Sequence, residues 1–130
     1  SSGTLGPAQA ATSPLAAQQD QALLAQVMAG GAPAITGSVL LLPTPGHTVG
    51  HQSLMVKVAR DSRFVLTADA CYSSEHMARE LLPNVVWDGP QMLDSMRRLR
   101  ALGEQSGTRV LYGHDPEQFA TLGPPTRALV

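Results

Sequence analysis

The chain has 130 residues, of which 43% are hydrophobic and 15% charged, with a net charge of −1 and a pI near 6.4. That length suits one domain with a core of its own. With no basic surplus to neutralise phosphates, a nucleic-acid partner is disfavoured.

Residues 1–13, "SSGTLGPAQAATS", are small, polar and Pro/Gly-containing, and read as a flexible N-terminal segment. Ser13-Pro14 has the form of a helix start, and Leu15, Ala22, Leu23 and Val27 suit a helix ending at Gly30-Gly31. Val39–Leu42 is a continuous apolar run expected to be a buried strand. Ser53–Ala59 and Phe64–Ala68 read as two further strands, with Asp61-Ser62 as the turn between them. Ser73–Leu82 reads as a short helix or a lid-like loop, and Pro83–Trp87 as an irregular crossing. Asp88 then caps a second helix, with Gln91 completing the pattern of a capping box. Met92, Met96, Leu99 and Leu102 follow helical spacing, whereas Arg97, Arg98 and Arg100 form a solvated face. Arg109–Tyr112 is a last strand that runs into "GHDPEQF", and residues 124–130 read as a tail. Strands interleaved with helices indicate an α/β layered domain over residues 14–123.

Three polar residues share one placement: His47, Asp69 and His114 each follow an apolar strand. α/β proteins build sites at strand ends, where side chains emerge from a rigid scaffold. Imidazole and carboxylate suit zinc or a similar metal, and a carboxylate can bridge two ions about 3.5–4 Å apart. Taken singly, a loop histidine is more often a surface hydrogen-bonding group, and an aspartate after a strand a turn or cap residue. His51 follows His47 by four residues, but Pro45, Gly46 and Gly50 rule out the helix that a helical zinc motif requires. Cys71 is expected to be a packed, inert thiol, and as the only cysteine it cannot form an internal disulfide. His76 reads as an exposed lid residue, and Asp115, Glu117 and Gln118 as a cap or as supports of the His114 loop.

The segments "TPGHTVGHQS" (44–53), "TADACY" (67–72) and "GHDPEQ" (113–118), spread over residues 36–120, resemble the metallo-β-lactamase superfamily. More narrowly, they are similar to its N-acyl-homoserine lactone hydrolases, the quorum-quenching lactonases. The resemblance implies an αβ/βα sandwich of which this chain would be the C-terminal half. It implies two divalent metal ions, zinc first, with iron, cobalt and manganese as alternatives. His47 would bind one ion, His114 the other, and Asp69, 22 residues after His47, would bridge them. Tyr72, three residues after Asp69, would hydrogen-bond the substrate carbonyl. His51 and Asp115 would support the metal loops from behind. The implied substrate is an acyl-homoserine lactone, opened by a hydroxide held between the ions.

One departure governs the expected activity. The family's His-x-His-x-Asp-His cluster is missing, because the only histidines are 47, 51, 76 and 114. About 40 residues before the first loop cannot hold the strands that would carry it, and Ser1 in place of Met suggests a processed, engineered or truncated start. The isolated chain is therefore expected to bind metal weakly and to hydrolyse lactones slowly or not at all. A complementing N-terminal half, a homodimer, or a non-catalytic binding or assembly module are the alternatives. No export signal or bilayer-spanning run is legible, so a cytoplasmic location without a membrane partner is expected.

Overall fold

The computed structural model describes residues 38–127 and Leu129. The N-terminal segment 1–13 and the helix expected from Ser13-Pro14 to Gly30-Gly31 lie outside the described residues. Four strands form one mixed sheet in the order β1-β2-β3-β4: β1 Val39–Pro43, β2 Gln52–Ala59, β3 Ser62–Leu66 and β4 Thr108–Leu111. The first three are antiparallel in sequence, and β4 lies parallel to β3. A parallel pair needs a crossover, usually helical; here it holds helices α1 (Ser74–Arg79) and α2 (Gly89–Gly103). A third helix, α3 (Pro116–Thr121), follows β4. Among the described residues no helix is long and apolar enough to cross a membrane.

Strand alternation divides the sheet into two faces. Leu40, Met55, Val65 and Val110 pair across the four strands and face the core. Onto that core α2 lays Met92, Met96, Leu99 and Leu102, the four positions expected from its periodicity, all buried. The alternate row pairs Leu41 with Leu54, Leu54 with Leu66 and Leu66 with Leu111. These four leucines are only half-buried, and an open cavity of about 270 Å³ runs along Leu54, Leu66 and Leu111 to Gly113.

Several details differ from the sequence reading. The turn between β2 and β3 is Arg60-Asp61, one residue early, because a bulge between Lys57 and Ala59 shifts the register. β3 stops at Leu66: Thr67 leaves the ladder and Ala68–Ala70 make a 3₁₀ turn. Asp88 caps α2 by accepting from the Gln91 N–H, yet no reciprocal capping box closes, since the Asp88 N–H donates to the Gly46 carbonyl. The arginine face is solvated but not idle. Arg97 Nε and Nη2 donate to the two Glu80 carboxylate oxygens at 2.9 and 3.1 Å, and Arg100 Nη2 adds a third bond at 3.1 Å. Glu80 ends α1 in a left-handed conformation (φ 53°), so this fork ties α1 to α2.

The turn after β1 depends on Gly46, whose φ is +135°. A Cβ there would overlap the main chain of Met92. Replacing Gly46 with alanine combines left-handed strain with a backbone clash, and a loss of about 2–4 kcal/mol is expected in a chemical denaturation experiment. A second expectation concerns acid. The Arg97 guanidinium, assisted by Arg100, holds the Glu80 carboxyl at about 2 against an ordinary 4.5. Because the folded value is depressed, this stabilisation is complete above 4.5 and disappears as pH falls through about 2. A denaturant midpoint followed against pH should show this loss in the native chain and not in Glu80→Gln, and salt should shrink the difference because the pair is exposed.

Candidate metal centre

β1, β3 and β4 run in the same direction, so their C-terminal ends meet at one edge of the sheet. The loops that follow them carry His47, Asp69 and His114, and the structure brings the three side chains together. His47 Nε2 lies 3.4 Å from Asp69 Oδ2, and His114 Nε2 lies 2.8 Å from Asp69 Oδ1. Each carboxylate oxygen thus faces a different imidazole. The ring of Tyr72 packs against both, with centroids 4.5 Å from His114 and 6.0 Å from His47. His47 is the most sheltered of the three, its side chain 16% exposed against 42% for Asp69 and 58% for His114.

Each loop is pinned by main-chain bonds. Gly46 and His47 offer their carbonyls to Asp88 N–H (2.8 Å) and Trp87 N–H (3.2 Å), and buried Ser95 on α2 donates to the Pro45 carbonyl at 2.7 Å. The His114 N–H donates to the Tyr72 carbonyl at 2.8 Å, fastening the two later loops together. Gly113 makes this crossing possible, because a Cβ there would overlap the Ala68 carbonyl. Sequence patterning gave no sign of Ser95 as a loop anchor, since a small polar residue inside an apolar stripe carries no periodic signal.

His51 sits behind the site and accepts a hydrogen bond from the Asp69 main-chain N–H at 3.0 Å. Burial lowers its pKa below the ordinary imidazole value, against the raising effect of Asp69. Asp115 does not reach the His114 ring. Its carboxylate accepts from the Gln118 N–H at 3.0 Å and the Ser74 N–H at 2.9 Å, capping α3 and holding the start of α1, and these bonds lower its pKa. Gln118 in turn accepts from the Tyr112 N–H and donates to the Val110 carbonyl. His76 is half-buried rather than an exposed lid residue, its Nδ1 2.7 Å from Ser73 Oγ.

The donors can be tested against the dinuclear group that the sequence resemblance implies. A bridging carboxylate with an imidazole nitrogen on each side is the chemistry that two neighbouring cations require. His47 Nδ1 is buried and has no hydrogen-bond partner among the described residues; the far nitrogen of a ligating histidine ordinarily donates to a support. Two protein donors per ion fall short of the three in a catalytic zinc site. Among the described residues no group of three or more His, Cys, Asp or Glu side chains is arranged to hold a metal ion. The described residues thus offer donors of suitable chemistry but do not complete a metal site.

No protein-family model matches the chain. Among curated proteins it is 33% identical over 85 residues to the N-acyl homoserine lactonase AttM of Rhizobium johnstonii, covering 65% of this chain and 32% of that protein. It is 38% identical over 84 residues to the N-acyl homoserine lactonase of a Bacillus species, covering 65% and 33%. Among solved structures it matches an N-acyl homoserine lactone hydrolase holding the product N-hexanoyl-L-homoserine at its catalytic metal centre. That match has a TM-score of 0.66 and 31% identity, over 74% of this chain and 38% of the other. The chain thus spans about a third of the length of the curated relatives it matches. Sequence and fold agree: it is related to the N-acyl homoserine lactonases of the metallo-β-lactamase superfamily, and its mixed sheet with helices corresponds to part of their domain.

Cys71, beside the site in sequence, is fully buried, and burial pushes its thiol up to about 11. The thiolate is the reactive form. A thiol reagent should leave the folded chain unmodified near neutral pH and label Cys71 on denaturation; labelling at a native rate equal to the denatured one would contradict the packing.

Proposed function

We propose that this relative of the N-acyl homoserine lactonases contributes one side of a dinuclear metal centre that opens acyl-homoserine lactones. The observation that carries the reading is the Asp69 carboxylate divided between His47 and His114. In this reading His47, Asp69 and His114 would hold the divalent ions, with zinc the first choice. When bound, such ions would supply Lewis-acid polarisation of an ester carbonyl and a water acidified towards hydroxide at neutral pH. Tyr72 donates its phenolic hydrogen to the carbonyl oxygen as negative charge grows there. Addition of water across the ring's acyl C–O bond, its hydroxyl going to the carbonyl carbon and its hydrogen to the ring oxygen, would leave a carboxylate and a free hydroxyl. An open cavity of about 410 Å³ flanks His114, bordered by Tyr112, Phe119 and Leu122, and offers apolar surface beside the reacting group.

The remaining donors must come from residues other than these, because the sequence contains no His-x-His-x-Asp-His cluster. A second reading, a non-catalytic binding or assembly module, draws on the half-exposed row Leu41, Leu54, Leu66 and Leu111, which suits a protein partner.

Metal analysis and a lactone-opening assay of the purified chain separate the two readings. They should be run with and without zinc, alone and mixed with a polypeptide carrying the histidine cluster. The chain alone should bind little zinc and turn over slowly. The mixture should gain zinc and activity, and Asp69→Ala should weaken zinc binding in it by about 10–100-fold or more. Robust turnover by the chain alone, or a mixture indifferent to Asp69→Ala, would refute the proposal.

A further inference from the structure

Behind Asp69 lies a file of buried polar groups whose directions are fixed from both ends. At one end the Asp69 main-chain N–H can only donate, and it donates to His51 Nε2 at 3.0 Å. That nitrogen therefore carries a lone pair, and since an imidazole ring keeps at least one N–H, the His51 hydrogen is on Nδ1. Nδ1 is 2.9 Å from Thr44 Oγ1, so the hydroxyl receives this hydrogen. At the other end the Thr67 carbonyl can only accept, and Ser53 Oγ donates to it at 2.9 Å. Having used its hydrogen there, Ser53 must accept from Thr44 Oγ1, 2.9 Å away. The two deductions meet at Thr44, which accepts from His51 and donates to Ser53. Thr44, Ser53 and Thr67 are each no more than 1% exposed, so water cannot substitute for a missing member.

We infer that Thr44 and Ser53 are positioning residues for Asp69, acting through His51 as a one-way hydrogen-bond relay from the Asp69 N–H to the Thr67 carbonyl. The relay selects the Nδ1–H tautomer and so keeps Nε2 open as the acceptor that anchors Asp69. It also spans the site's framework, since Thr44 and Ser53 flank the His47 loop while Thr67 opens the Asp69 turn. This inference deepens the reading of Asp69 as a bridging carboxylate, but it can be tested without metal or substrate.

The test is NMR on the full chain at neutral pH. Long-range ¹H–¹⁵N correlations should report the Nδ1–H tautomer for His51 in the wild type. Thr44→Val keeps the shape and removes the hydroxyl; it should mix the tautomers and raise the exchange rate of the Asp69 amide by about tenfold or more, and Thr44→Ser should restore both. An Nε2–H tautomer in the wild type would overturn the relay, as would a folded Thr44→Val with tautomer and Asp69 amide unchanged. Should Thr44→Val not fold, Ser53→Ala and the wild-type tautomer decide by the same criteria. Neither readout involves lactone opening, so failure of the lactonase assay would count against the proposed function and not against the relay.

Discussion

One carboxylate shared between two imidazoles is the constraint around which this molecule is organised. Asp69 can meet His47 and His114 at once only if three chain segments, far apart in sequence, arrive at one edge of the sheet. The like direction of β1, β3 and β4 provides that arrival, and the helical crossover between β3 and β4 makes the direction possible. The close approaches then set the fine positions. Gly46 lets the His47 loop rest against the Met92 main chain, and Gly113 lets the His114 loop pass the Ala68 carbonyl. Side chains would forbid both contacts, so glycine at these two places is a condition of the geometry rather than a source of flexibility.

Among the described residues, the open face of the sheet and the candidate site lie at the same edge. One face is closed by α2, while the other presents four half-buried leucines in a single cross-strand row. Complete burial of a leucine contributes about 1.5–3 kcal/mol relative to exposure, so a partner surface laid on this row would gain appreciable stabilisation. The cavity along Leu54, Leu66 and Leu111 ends at Gly113, next to His114. The half-buried leucine row therefore runs up to the edge that carries the candidate site.

How much of this was legible in the sequence follows from the range of each interaction. The strands, and α2 with its four buried positions, were readable because apolar periodicity is local. The meeting of His47, Asp69 and His114 was suggested by their shared placement after strands, and the resemblance of the surrounding segments to a known family singled them out. The Glu80 fork was not readable, since Arg97 and Arg100 lie 17 and 20 residues from it, and exposed arginines carry no signal of partnership. Nor were the roles of Thr44 and Ser53, whose hydroxyls look like ordinary turn chemistry until the fold buries them. For Asp115 the sequence left a cap and a support of the His114 loop open, because the two have the same sequence appearance; the structure gives it the cap. The N-terminal helix expectation concerns residues outside those described.

The location of strain reinforces the functional emphasis on Asp69. Ala68, immediately before it, has φ 50°, a left-handed conformation that costs a non-glycine residue on the order of 1 kcal/mol. Nothing in the local sequence requires alanine to adopt it. The surroundings impose it: the Thr67 N–H is fixed to the Leu111 carbonyl at 3.0 Å, and Thr67 Oγ1 donates to the Cys71 carbonyl at 2.8 Å. With both flanks of the 3₁₀ turn held, the reversal at Ala68 is what turns the chain out of β3 and directs Asp69 towards the two histidines. An ordinary loop at this position would relax the strain and lose the aim. The fold instead maintains it with buried hydrogen bonds on both sides, which is the behaviour expected where a side chain must be held in one place.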